Sequence, residues 1–277
     1  MRQLNLRNSI FIDITASGVV AQAYEEILKE TISVVTPNKI AATRSFAHYQ
    51  LLKSTANKFK SQFLFETNVG AGLPVLSTLS DLVKSGDRII KIEAVLSGTL
   101  NFIFNNYNAK RSFVEVVKKA KKEGYTEPDP RLDLSGEDVM RKILILARES
   151  GYQFDFEDVV GNNFLPKICQ ITKGEEDFYI KLAENEEHFA TLYHQATSKS
   201  CKLRYVATFE NQKLKTGLSQ IAETHPFYQL EGKDNIVLFY TERYPEQPLV
   251  IKGAGAGAEV TASGIFADVM RVTNSQN

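Results

Sequence analysis

Cysteine is scarce: Cys169 and Cys201 stand in no metal-ligand pairing, and two in a chain of 277 residues are too few for a disulfide framework. A fold stapled by disulfides is excluded, and a reducing compartment, the cytoplasm by default, is expected. Long apolar runs are missing as well. Residues 1–30 mix Arg7, Asp13 and Glu25 with short apolar stretches, which is neither a signal peptide nor a bilayer span. No sign of charge prevails, because 33 basic residues balance 33 acidic ones; no overall field draws the chain to nucleic acid or to an anionic membrane. His48, His188, His194 and His225 form no HxxxH or HExxH spacing, and G-x-S-x-G does not occur. Transition-metal catalysis and serine-hydrolase chemistry are therefore unsupported.

What is present is a hydrophobic content of 43%, enough for a sizeable core in one large domain or two ordinary ones. The opening alternates: strand 9–15, helix 18–30, strand 31–36, helix 43–57, strand 60–67. Such alternation predicts a parallel sheet covered on its faces. Pro37 and Asn38 stop the second strand and leave Lys39 at its carboxyl end, where open α/β sheets bind ligands. From residue 69 the pattern changes. A Gly-rich turn (69–74) opens a helix over 74–84, a strand follows over 89–99, and helices follow at 101–108, 112–123 and 135–150. Residues 170–200 read as helical, residues 202–252 as alternating strands, and the tail 253–273 as a turn and an amphipathic helix with Val260, Ile265, Phe266 and Val269 inward.

The densest chemistry lies in AKKEGYTEPDPRLDLSGEDVMRK (120–142). Pro128 and Pro130 restrict a turn that carries Glu127, Asp129 and Asp133, a concentration of acid that would repel itself without a cation or a cationic substrate group. Asp138 and Lys142 follow at i,i+4 on one helical face, flanking an apolar stripe of Val139, Ile143, Leu146 and Ala147. Alone, that pair would be a surface ion pair contributing about 0.3–0.5 kcal/mol. Beside three carboxylates it reads as a site: a lysine steered by an acid can pass a proton to a carbonyl oxygen, and a further carboxylate can grip an ammonium. Elsewhere, FETNVGAGLP (65–74) is either an oxygen-rich alkali-cation loop around Glu66 or a tight structural turn. SGT (97–99) supplies hydroxyl donors or a helix cap. Gly253–Ala258 matches G-x-G-x-x-[GA] only weakly, since too few residues follow for a second strand; close backbone approach to a ligand or a helix is the better reading. Lys118, Lys119, Lys121 and Lys122 read as the wet side of a helix.

VVTPNK (34–39), FETNVGAGLPV (65–75), LSGTLNFIF (96–104), GYTEPDPRLDLSGEDVMRK (124–142), LILARESG (144–151) and GAGAGAEVTASGIFAD (253–268) together make the chain resemble homoserine dehydrogenase, specifically the dehydrogenase portion of bifunctional aspartokinase/homoserine dehydrogenases. The third and fourth segments are the most specific. The resemblance implies an NAD- or NADP-dependent enzyme interconverting L-aspartate 4-semialdehyde and L-homoserine in threonine and methionine biosynthesis, working as a homodimer. By the same resemblance Lys142 is the proton donor, Asp138 places substrate and lysine, Glu127 holds the substrate amino group, and Lys39 lies near the nicotinamide and the reacting carbon. Cofactor contacts carry over to Thr15, Ala16, Lys39 and Gly255. An alkali cation, Na⁺ or K⁺, maps to Glu66, Val69, Ala71 and Leu73. The expected fold is α/β: an incomplete Rossmann-type domain (1–68 plus 253–277) that lacks the amino-terminal G-x-G-x-x-G unit, and an α+β catalytic and dimerisation domain (69–252). Two alternatives stay open, a catalytically impaired fragment serving as a dimerising or regulatory module, and a dehydrogenase for another semialdehyde or hydroxy acid.

Overall fold

The computed structural model describes residues 8–108 and 110–274. By packing, the chain divides into two units: the residues through Ile89 with Leu144–Asp158 and the chain from Ala254 on, and Ile90–Ile143 with Val159–Gly253. This division differs from the expected boundaries in placing 69–89 and 144–158 with the first unit.

In the first unit β1 (Ile10–Ile12), β2 (Ser33–Val35) and β3 (Phe63–Leu64) form a parallel sheet in that order, with Phe11 opposite Val34 and Val34 opposite Phe63. The central strand is buried along its length, which is why SVV shows no alternation. The expected helix 18–30 is two helices, α1 (Gly18–Gln22) and α2 (Tyr24–Lys29). They part at Ala23, whose N–H bonds back to the Val20 carbonyl at 3.0 Å and tightens the turn. The expected helix 43–57 is likewise preceded by a short α3 (Ile40–Thr43), and α4 (Phe46–Phe59) starts after Arg44 turns extended and Ser45 caps the His48 N–H. A single 3-10 turn, Glu66–Asn68, follows β3 and leads to α5 (Val75–Lys84).

The last element, α13 (Ala258–Asn274), corrects an expectation. Its buried face is Gly264, Asp268 and Val272, whereas Phe266 is 64% exposed. The helix lies against the backbone of the turn after β3. A Cβ at Gly264 would stand 2.6 Å from Thr67 Cγ2 and 3.0 Å from Gly72 Cα, and one at Gly72 would stand 2.5 Å from the Val260 carbonyl oxygen. Such a contact requires glycine on both sides and is invisible to hydrophobic periodicity.

The second unit is built on a six-stranded sheet in the order β5-β7-β6-β4-β8-β9, from β4 (Ile89–Val95), β5 (Val159–Asn162), β6 (Lys202–Glu210), β7 (Lys213–Ile221), β8 (Asp234–Thr241) and β9 (Leu249–Ala254). β6 and β7 are antiparallel and joined by Asn211-Gln212, both with positive φ (50° and 55°), the signature of a type I′ hairpin. Val95, Val206, Phe227, Leu230 and Leu238 form a core on this sheet. Helices α6 (Gly98–Asn106), α7 (Phe113–Lys122), α8 (Pro130–Leu134) and the first part of α9 (Glu137–Glu149) belong here, with the short α10 (Lys167–Gln170), α11 (Glu175–Glu184) and α12 (Glu186–Thr197). α7 opens on a capping box, Ser112 with Glu115, and buries Phe113, Val116, Val117 and Ala120. The expected stripe of α9 is buried at Val139, Ile143, Leu146 and Ala147.

Candidate active site

In the second unit, one turn of α9 brings Asp138 and Lys142 together: Lys142 Nζ lies 2.8 Å from Asp138 Oδ2. The same ammonium donates to the Leu96 carbonyl at 2.7 Å, at the carboxyl end of β4. The lysine side chain is 12% exposed and that of Asp138 50%, so the pair has one member in the protein and one in water. The Asn235 amide reaches the same carbonyl at 3.4 Å, so Leu96 is shared by two donors.

The turn before α9 differs from the expectation of uncompensated acid. Asp129 caps α8 by accepting the Arg131 N–H at 3.0 Å, and the Arg131 guanidinium returns to the same carboxylate through Nε and Nη2. That guanidinium also donates to the Thr172 carbonyl at 2.9 Å, which ties the turn to the chain beyond α10. Asp133 faces inward, where it accepts the Glu127 N–H at 2.9 Å and lies 2.9 Å from Thr99 Oγ1. Burial pushes the Asp133 carboxyl up, with the Glu127 N–H and the Thr99 hydroxyl pulling against it. Of the SGT segment, Ser97 caps α6 through the Leu100 N–H at 3.1 Å and Thr99 serves Asp133. Two of the three carboxylates are therefore answered by the chain's own groups, and Glu127 alone is exposed.

The Arg131 hydrogen bonds hold Asp129 below its ordinary value of 3.8. Stability from a lowered carboxyl is present above the unfolded-state value and is lost as pH falls through the lower folded value. Asp129→Asn, which keeps a capping oxygen, should thus lower the urea midpoint modestly at neutral pH, and the gap to wild type should narrow as the pH falls below the ordinary carboxyl value of 3.8. Urea titrations at both pH values measure it.

In the first unit, Thr15 and Ala16 are exposed on the loop leaving β1, and Lys39 is half-buried just past β2 at the start of α3. The Thr15 N–H donates to Asp13 Oδ1 at 2.8 Å, and Thr15 Oγ1 accepts the Ser17 N–H at 3.1 Å. The Asn68 amide, its nitrogen turned toward the Thr36 and Pro37 carbonyls (3.3 and 2.8 Å), braces the segment that carries Lys39. Gly255 is buried and follows β9 in the chain, ahead of α13.

Glu66 is 4% exposed. Its carboxylate accepts the Leu76 N–H at 2.6 Å and the Ser77 N–H at 3.0 Å at the start of α5, and Arg271 Nη1 lies 3.0 Å away. Arg271 also reaches Asp268 Oδ1 at 2.6 Å, and Asp268 Oδ2 accepts the Glu66 N–H at 2.9 Å. Burial raises both carboxyls, against these donors. Gly70 and Ala71 take positive φ (79° and 52°), and the Leu73 carbonyl accepts the Val75 N–H at 2.8 Å. The Glu66 charge is thus answered inside the protein, and an alkali ion at residues 66–73 would rely on main-chain oxygens such as those of Val69 and Ala71. Sequence reading missed Asp268 and Arg271, which lie 202 and 205 positions from Glu66. An acid and a base three apart on the same helix was the local sign.

A family model described as homoserine dehydrogenase matches residues 74–270, and one described as homoserine dehydrogenase, NAD binding domain, matches residues 1–66. The chain is 45% identical over 267 residues to bifunctional aspartokinase/homoserine dehydrogenase 1, chloroplastic, of Arabidopsis thaliana, covering 96% of this chain and 29% of that protein. It is 39% identical over 272 residues to homoserine dehydrogenase of Schizosaccharomyces pombe, covering 95% of this chain and 72% of that one. Among solved structures, a hyperthermophilic archaeal homoserine dehydrogenase in complex with NADPH superposes with a TM-score of 0.73 at 25% identity, covering 96% of this chain and 72% of that chain. The chain spans 29% of the length of the Arabidopsis bifunctional relative.

Proposed function

The chain belongs to the homoserine dehydrogenase family, and we propose that it interconverts L-aspartate 4-semialdehyde and L-homoserine with NADP or NAD as hydride partner. The observation that carries this reading is the fixing of Lys142. Two of its three N–H donors are engaged by Asp138 and Leu96 among the described residues, and the third remains for a substrate oxygen. In the reduction direction Lys142 gives a proton to the aldehyde oxygen; in oxidation it takes the hydroxyl proton back, with Asp138 holding the nitrogen in place. Glu127, exposed and without the internal partners of Asp129 and Asp133, is the carboxylate for the substrate ammonium. Lys39 supplies positive charge against the developing alkoxide.

The cofactor's chemistry is to deliver or accept the hydride. The first unit fits such a group at the carboxyl ends of its parallel strands. Thr15 and Ala16 are exposed there, and Ile14 and Val19 are 73% and 77% exposed, an apolar surface suited to a planar ring. Gly255 joins this contact set on the tail. A monovalent cation at the carbonyls of residues 69–73 and a homodimer complete the reading. Neither nucleic acid nor membrane is required: basic and acidic residues balance, and among the described residues no helix is long and apolar enough to cross a bilayer.

The test is homoserine-dependent formation of reduced nicotinamide by the purified chain, with NADP and NAD supplied separately. Turnover with another 2-amino-4-hydroxy acid but not with homoserine would replace the substrate assignment. No turnover from a folded protein that binds the cofactor would refute the enzymatic reading.

A further inference from the structure

One buried carboxylate has no part in the steps above. Asp13 is 2% exposed and stands just past β1, with no charged partner among the ion pairs of the described residues. Neutral donors surround it instead. Tyr24 donates its hydroxyl to Oδ2, Asn38 donates its amide to the same oxygen at 3.1 Å, and the Thr15 N–H donates to Oδ1 at 2.8 Å. The Asp13 carbonyl accepts the Thr36 hydroxyl at 2.9 Å, and Thr36 Oγ1 lies 3.0 Å from the Tyr24 hydroxyl and accepts the Asn38 N–H at 2.9 Å. Asn38 then spans the two loops: its nitrogen also reaches the Ser17 carbonyl at 3.1 Å, and its oxygen accepts the Ile40 N–H at 3.0 Å.

Apart from Tyr24, every bond of this network ends on residues 13–17 or 36–40. Those are the loop bearing Thr15 and Ala16 and the loop bearing Lys39. Burying a carboxylate without a cation is expensive, and an apolar group would serve mere packing better. Its donors nevertheless keep it ionised: burial works upward, yet the bonds from Tyr24, Thr15 and Asn38 bring the carboxyl below its ordinary range. Each of its oxygens accepts from a different loop, an arrangement a neutral amide cannot reproduce because one of its two atoms would be a donor.

We propose that Asp13, acting through Tyr24 and Asn38, is a positioning residue that locks the Thr15–Ala16 loop and the Lys39 loop into one fixed relation. The proposal rests on the dehydrogenase reading for its kinetic consequence and on geometry alone for its structural one. A misplacement near 1 Å can cost about a hundredfold in rate. Asp13→Asn should therefore lower kcat for homoserine oxidation by about 10–100-fold and weaken NADPH binding, read by its fluorescence without turnover, by about tenfold. KM for homoserine should hold, since Glu127, Asp138 and Lys142 belong to the other unit. Tyr24→Phe, which removes one donor and keeps the carboxylate, should show a smaller loss of the same kind.

The crystal structure of Asp13→Asn gives a readout that needs neither cofactor nor activity, and both loops, 14–17 and 36–40, should be displaced. A variant that melts earlier while its kcat, NADPH affinity and loop positions match wild type would reduce Asp13 to a stability element and overturn the proposal. Wild-type protein that binds NADPH but never oxidises homoserine would sink the proposed reaction instead. The binding and crystallographic arms would then still decide on Asp13.

Discussion

Lys142→Ala should lower kcat for homoserine oxidation by about two to four orders of magnitude, the usual contribution of a positioned general acid or base. The loss should fall on kcat, with NADPH affinity nearly unchanged, because the cofactor contacts proposed here lie on the first unit. Stability should fall by only about 1–2 kcal/mol. The i,i+4 pair with Asp138 accounts for a few tenths of that, since Asp138 is 50% exposed and is left hydrated rather than stranded. The remainder is lost packing of a lysine stem that is 12% exposed in the folded state. Lys142→Arg separates charge from proton transfer: a guanidinium keeps the charge but cannot release its proton in the working pH range, so it should not restore turnover. Steady-state kinetics with urea titration decide the matter. A variant that unfolds readily yet retains wild-type kcat while folded would make Lys142 a structural ion pair.

That site was legible because its parts are local. Asp138, Lys142, Glu127, Asp129 and Asp133 fall within sixteen consecutive residues, on a turn and the two helices it leads into, so short sequence separation keeps them near each other and periodicity pairs Asp138 with Lys142. What the pattern could not report is which carboxylates are already answered. Arg131 stands two residues from Asp129 and takes up its charge, and Thr99, thirty-four positions upstream of Asp133, is found only by folding. The parallel pairing of β1, β2 and β3 was readable from strand–helix alternation, though their order was not, and Lys39 at the carboxyl end of β2 was readable from Pro37 and Asn38. The inward face of α13 was not readable. Its contact is made by two glycines and an aspartate, residues to which a hydrophobic pattern assigns the outside. Asp13 went unnoticed for a related reason: its partners Thr36 and Asn38 come from the next strand end, and nothing in FIDIT marks the aspartate as buried.

Arg271→Ala should destabilise the chain by about 2–4 kcal/mol, far beyond an ordinary surface pair. Exposure of the arginine argues for the small value and burial of its partners for the large one. The Arg271 side chain is 39% exposed, so water can enter part of the space it leaves. Glu66 and Asp268 are 4% and 2% exposed, however, and each would lose the one cation paired with it among the described residues. Their remaining bonds, to the Leu76, Ser77 and Glu66 N–H groups, satisfy geometry but do not offset two neighbouring negative charges in a poorly hydrated space. Burial therefore prevails, with the upper end of the range trimmed by solvent access. Arg271→Lys should recover only part of the loss, because one ammonium replaces a planar fork that serves two carboxylates. Glu66→Gln added to Arg271→Ala should recover another part, and the resulting double-mutant cycle should give a coupling of at least about 1 kcal/mol. Additive effects within about 0.3 kcal/mol, or an Arg271→Ala midpoint equal to wild type, would show that the C-terminal helix is held by its glycine contacts alone. The consequence would reach further than stability, since the turn that Glu66 opens ends in Asn68, whose amide braces the Thr36 and Pro37 carbonyls just ahead of Lys39.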